Sequence, residues 1–248
     1  MYYFDLDSCF YKYLEAKRII KISSFSYQIR TKDIDAVRIY NQLKVINEFH
    51  NRTLGYTGYM NKRLNNNLGR TIEQYKMYIK WLKRDLEEIK ISYDKSEFKR
   101  IVGEVGKGYL EKAKKCIENI YENNYLCLLK RSMSRNEVCL KNISFNNLRM
   151  VQDTIEVINL DGCCYNMVEM DAVGLLKRLR RKSVDIDTYD VISNYCNISH
   201  LDKDSLEFML SILNYPYEFM KCCNKYRYRI NSLPEKVYID ELKKIISK

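Results

Sequence analysis

Residues 140–161 read LKNISFNNLRMVQDTIEVINLD, and the fold turns on them. Met150 and Val151 precede a turn signal at Gln152-Asp153-Thr154, after which IEVINL at 155–160 brings β-branched and apolar residues back. That order predicts a short β-hairpin, entered from a polar Asn-rich loop and ending beside the carboxylate of Asp161.

Outward from the hairpin the periodicity is helical. Ile72, Tyr75, Ile79, Leu82, Leu86 and Ile89 step by three and four, on a segment that also carries the single tryptophan, Trp81. Leu110, Ala113, Ile117 and Ile120 repeat the pattern, as do Leu206, Met209, Leu210, Leu213 and Tyr217. Each stripe needs an apolar partner, so these helices are expected to pack on one another. VGEVGKGYL at 102–110 lacks the spacing of a phosphate-binding loop and reads as a turn. The first 30 residues, with YYF and RIIKISSFSYQI, read as one or two strands.

The 248 residues, 46% of them apolar, suffice for a real core. No apolar run is long enough for a membrane span, and the start MYYFDLDSCF lacks a signal-peptide layout, so a location inside the cell is expected. Nine cysteines without a CxxC and only two histidines, His50 and His200, argue against zinc and for reduced thiols. A net charge of +11 raises the question of nucleic acid. KRLRRK at 177–182 nevertheless falls on the polar side of a helix whose apolar residues are Val173, Leu176 and Leu179, and a solvated face is the expected reading.

The Asn-rich loop, the hairpin and the terminal acid resemble, in layout, the HxDxxxxN loop and following metal-binding Asp of kinase-like phosphotransferases such as aminoglycoside phosphotransferases and choline kinases. Counting from Asn147, the loop histidine falls on Leu140, the catalytic base on Asn142 and the magnesium Asn on Asn147 itself. The metal Asp falls on Asn159. VINLD at 157–161, LKVINEFHNRTLGY at 43–56, GYLEKAKKCIENI at 108–120, EMDAVGLLKR at 169–178 and LSILNYPYEFMKCCNKYRYR at 210–229 are similar to segments of the spore coat protein S (CotS) family of bacterial spore formers. Asp161 matches the second acid of that family's VIDFD, and Asp171 the acid of its DLxxLLRK helix.

The resemblance implies a mainly α fold: the helical C-terminal lobe of a protein-kinase-like architecture over residues 35–248, with a small β-hairpin at the former active site, preceded by a short β-rich remnant at 1–34. About 35 residues are too few for a nucleotide lobe of some five strands and a helix, so most of that lobe is expected to be missing, along with its phosphate-binding lysine.

An amide cannot accept the proton at 142, and its neutral oxygen is a poor substitute for a magnesium carboxylate at 159. The expectation is an inactive, pseudokinase-like protein with no catalytic residue, no cofactor and no metal. Leu140, Asn142 and Asn159 stand at degenerate positions, and Asn147 and Asp161 are vestigial. Its role would be structural, in assembly of the bacterial spore coat. Its partners would be other spore coat proteins or a full-length kinase-like protein, with self-association open, and it would move from the mother-cell cytoplasm onto the coat. The alternative is a remnant small-molecule phosphotransferase that binds nucleotide and Mg²⁺, through Asp161 if the strand runs two residues further, or that borrows its missing lobe from a partner chain. His50 is expected in the core or at a helix end, and Trp81, Tyr217, Tyr226 and Tyr228 in packing. Asp171 is expected to anchor backbone donors of the loop, and Asn146 and Asn147 to bond within it.

Overall fold

The structure is a computed structural model that describes residues 6–58, 64–92, 96–228 and 233–247. The chain divides into two compact units: residues 1–68 with 123–213, and residues 69–122 with 214–248. The segment before residue 35 is therefore part of the first unit, together with the Asn-rich loop.

In the first unit, helix α1 (Leu6–Ala16) leads through Arg18, in left-handed backbone, to strand β1 (Ile19–Lys21). Only those three residues of the expected β-rich start are strand. Residues 6–16 are helical, and the Tyr2–Phe4 part of that expectation lies outside the described residues. Helix α2 (Ala36–Thr53) begins where Asp35 caps it, its carboxylate accepting from Arg38 N at 2.7 Å. Strands β2 (Asn65–Asn66) and β3 (Val138–Cys139) flank β6 (Cys164–Tyr165) in one small sheet, in the order β2-β6-β3. Strands β4 (Leu148–Val151) and β5 (Thr154–Val157) form the expected hairpin around Gln152 and Asp153, with Gln152 at φ 54°. Strand β1 adds in parallel to β5, so the second sheet runs β1-β5-β4.

Alternation holds along β5, where Ile155 and Val157 are buried and Thr154 and Glu156 half-buried, whereas on β4 burial ends after Leu148. Leu148, Ile155 and Val157 are closed off from solvent, while Met150 and Val151 are exposed. Helix α2 packs on β4, and Leu43, Ile46 and Phe49 of α2 are buried in the same unit's core, as are Leu175, Leu176 and Leu179 of helix α6 (Glu169–Arg181). Full burial of such side chains contributes about 1.5–3 kcal/mol each. Helices α5 (Tyr125–Arg135), α7 (Thr188–Ser199) and α8 (Lys203–Asn214) complete the unit. The stripe that begins at Leu206 ends with α8. Pro216 precedes a new helix, to which Tyr217 belongs.

The second unit is an all-α cluster of α3 (Arg70–Ile91), α4 (Glu97–Glu122), α9 (Tyr217–Arg227) and α10 (Glu235–Ile246). The α3 stripe buries Ile72, Tyr75, Leu82 and Ile89, with Tyr78 more enclosed than Ile79. Trp81 meets Tyr78 and Tyr228, and Tyr226 stacks on Phe98 with ring centroids 3.9 Å apart, as packing residues do. The expected turn at 102–110 is not there: α4 runs through all three glycines. Gly106 faces Leu86, whose side chain approaches to 2.9 Å of where a Cβ would stand, so α3 and α4 close up at that point. No helix among the described residues is long and apolar enough to cross a membrane.

Candidate functional site

The loop between β3 and β4 is held from below by Asp171 on α6. This carboxylate is buried, and it accepts from Leu140 N and Lys141 N, both at 2.8 Å, as the sequence suggested. His50 of α2 brings Nε2 to 2.9 Å of the same carboxylate, and Tyr195 of α7 brings its hydroxyl to 3.2 Å of His50 Nδ1. Tyr195 also donates to Val168 O at 3.1 Å. Gln42, about two turns earlier on α2, donates to Ile143 O and Leu148 O, both at 3.2 Å, and so ties the middle of the loop to the start of β4. A buried network of this kind is stable only when every member is satisfied.

His50, Cys139 and Asp171 bring one ligand atom each within 4.8 Å of one another, a grouping that sequence spacing did not reveal. Each is already engaged: Cys139 Sγ donates to Met167 O at 3.1 Å, and Asp171 takes three donors. Burial raises the Cys139 thiol pKa, and the nearby Asp171 carboxylate adds to it, which disfavours the thiolate a metal needs.

Above this base the four motif positions come together. Leu140 is fully buried where the motif places a histidine, so a core side chain fills that slot. Asn142 is half-buried, and its Oδ1 accepts from Ser144 Oγ and from Arg178 Nη1, each at 3.4 Å. Asn147 is buried and wholly committed. Its Nδ2 donates to Asn142 O at 2.6 Å and Asn159 O at 3.0 Å, and its Oδ1 accepts from Asn159 N at 2.7 Å. Strand β5 stops at Val157, so Asn159 and Asp161 are not strand neighbours on one face. They form a turn closed on itself: Asp161 N donates to Asn159 Oδ1 at 2.9 Å, and Asn159 Nδ2 to Asp161 Oδ2 at 3.1 Å. Asn146 does not bond within the loop. Its amide pairs both ways with the backbone of Ile29, accepting at 2.8 Å and donating at 3.1 Å, and ties the N-terminal segment to the loop.

A scan of protein-family models finds no match to this chain, and neither does a search of the curated proteins. Solved structures do match. An aminoglycoside phosphotransferase from Alicyclobacillus acidocaldarius subsp. acidocaldarius aligns with a TM-score of 0.64 over 83% of this chain and 60% of its own, at 14% identity. The ADP-bound aminoglycoside phosphotransferase APH(2'')-Ib aligns at 0.52 over 97% of this chain and 79% of its own, at 13% identity. The fold is kinase-like and mainly helical. At this identity the likeness is one of fold, and the chain spans about three fifths of the first structure's length.

Within the kinase-like fold, the chemistry of the loop follows from its donors and acceptors. Phosphoryl transfer on such a scaffold needs a carboxylate at the acceptor hydroxyl and an Asn and an Asp on magnesium. Here 142 and 159 carry amides, and Asn147 Oδ1, the one retained ligand atom, already accepts a backbone N–H. The carboxylate of Asp161 is exposed and adjacent, but it is bonded to the side chain of Asn159.

Proposed function

We propose that this kinase-like chain performs no phosphoryl transfer and acts as a structural or assembly protein of the bacterial spore coat, through protein–protein binding. The observation that carries the first half is the state of the loop. The base position is an amide facing Arg178, and both metal positions are amides used up in bonds to Asn142, Asn159 and Asp161. Loss of a general base alone costs about 10²- to 10⁴-fold in rate. The second half rests on the resemblance of five segments to the spore coat protein S family. On it the partners are other coat proteins or a full-length kinase-like protein, and the protein passes from the mother-cell cytoplasm to the coat.

The test is a thermal-shift titration with Mg²⁺-ATP and Mg²⁺-GTP, since a ligand that binds only the native state raises the melting temperature with concentration. The expected result is no shift at millimolar nucleotide. A saturable, magnesium-dependent shift would overturn the reading in favour of a remnant phosphotransferase using Asp161. Localisation of a tagged copy to the coat during sporulation tests the second half, and a copy that stays dispersed in the mother cell would sink it.

A further inference from the structure

Most arginines of the first unit that approach the loop or hairpin have an acid. Arg131 pairs with Glu137 and Glu169, Arg149 with Glu156, and Arg52 with Glu48 and Asp153. Arg178 does not. It is half-buried on α6, and among the described residues its side chain makes one hydrogen bond, the 3.4 Å contact to Asn142 Oδ1, and no ion pair. Its environment is unfavourable to charge: burial, and then the nearby Arg181, both pull its pKa below the ordinary value. The two arginines after it are explained by structure. Arg180 donates to Leu213 O and Thr188 Oγ1, and Arg181 to Lys177 O; like Arg178, both lie in the last turn of α6, where cations complement the helix dipole. Arg178 is instead turned to the loop.

The orientation of Asn142 follows from its neighbours. A guanidinium only donates, and the Ser144 hydroxyl donates to the same atom, so the amide oxygen must face them both. The two amide N–H donors then face away, and no described residue accepts from them. Where kinase-like chemistry needs a group that accepts a proton, this loop therefore presents donors: the Asn142 amide and the unused N–H groups of Arg178. Exposed cations at Lys141, Arg181 and Lys182 extend that field over two elements.

We infer that Arg178 and Asn142 form a docking point for carboxylate groups of an acidic segment on a partner protein. The former active-site loop thereby becomes the recognition surface of the protein-binding role proposed above, on which this inference rests. Charge complementarity selects the occupant. A guanidinium with open donors is best satisfied by an oxyanion, and cations on both sides of it suit a chain carrying several carboxylates better than one small ion.

The test uses the full-length protein and a labelled hexaglutamate peptide, followed by fluorescence anisotropy. Wild type is expected to bind with an affinity that falls as salt rises. Arg178→Gln should weaken binding by about tenfold or more, whereas Lys203→Gln, an equal loss of charge at an exposed position on α8, should weaken it by less than about threefold. Asn142→Asp, which gives Arg178 an internal carboxylate, should weaken binding as Arg178→Gln does. Equal losses for Arg178→Gln and Lys203→Gln would overturn the site in favour of diffuse attraction. Inorganic phosphate that displaces the peptide at micromolar concentration, or a single-stranded oligonucleotide that outcompetes it at equal charge, would overturn the choice of an acidic protein segment. A magnesium-nucleotide shift would sink the proposed function while leaving the peptide result to stand by itself.

Discussion

Asp171 and Asn142 sit at the two extremes of what one polar residue does in this loop. Asp171 is 2% exposed and takes donors from Leu140 N, Lys141 N and His50, so its removal leaves all three without that acceptor, Leu140 N and His50 in the interior. Asp171→Ala is expected to lower stability by about 3–5 kcal/mol, measured by urea denaturation. Asn142 holds its neighbours by two long bonds, and Asn142→Ala should cost less than about 1 kcal/mol. A loss for Asp171→Ala no larger than that for Asn142→Ala would refute the anchoring role. Asn159 is the residue where chemistry, more than stability, responds. A carboxylate there would stand beside Asp161, and Mg²⁺ favours paired carboxylate oxygens over an amide. Asn159→Asp is therefore expected to gain a melting-temperature rise in millimolar MgCl₂ that wild type lacks. A comparable rise in wild type would mean that Asp161 suffices, and the phosphotransferase reading would return.

Helix α4 shows what local signals miss. Gly103, Gly106 and Gly108 punctuate its sequence, yet the helix is continuous from Glu97 to Glu122. A Cβ at Gly108 would meet nothing within 4 Å, so Gly108→Ala is expected to stabilise by about 0.5–1 kcal/mol through helix propensity. At Gly106 the same gain is offset by the Leu86 side chain 2.9 Å away, and a near-neutral change is expected. Thermal melts of the two variants check this, and a destabilised Gly108→Ala would restore the turn. On α3, burial pushes the Asp85 carboxyl up to about 6 against the pull of Arg227, which pairs with it from α9. Between about pH 4 and 6 the native state then holds a proton that the unfolded chain has lost, so the Asp85 contribution to stability falls as pH rises. Relative to wild type, Asp85→Asn should gain on the order of 2 kcal/mol between about pH 4 and 7, read by urea melts at each pH. A constant difference would show that the pair holds Asp85 ionised throughout. The apolar stripes and the hairpin were legible because their periods are local, and so was Asp171, since a buried carboxylate must find donors. The helix at 6–16 was hidden by aromatic and β-branched neighbours. The Asn146–Ile29 pairing joins residues 117 apart, and the His50–Cys139–Asp171 grouping joins α2, β3 and α6. No window of sequence contains such contacts.

At the scale of the whole molecule the burial of the cysteines decides where an intermolecular disulfide can form. All nine are free thiols, and the adjacent pairs Cys163-Cys164 and Cys222-Cys223 are all buried. Burial also holds the Cys163, Cys222 and Cys223 thiols up, so the reactive thiolate is scarce there as well as enclosed. The exposed thiols are Cys9 on α1 and Cys127 on α5. Disulfide exchange needs both a thiolate and access, so intermolecular bonds in the folded protein must run through these two. A maleimide titration of native protein is expected to label two thiols quickly and the other seven only as the fold opens. The Cys9→Ser/Cys127→Ser double variant should lose oxidative oligomers on a non-reducing gel, while Cys163→Ser/Cys222→Ser keeps them. If the first variant still cross-linked under native conditions, the buried pairs would have to open in the folded state, and an assembly role would then depend on local unfolding of the segments that carry them.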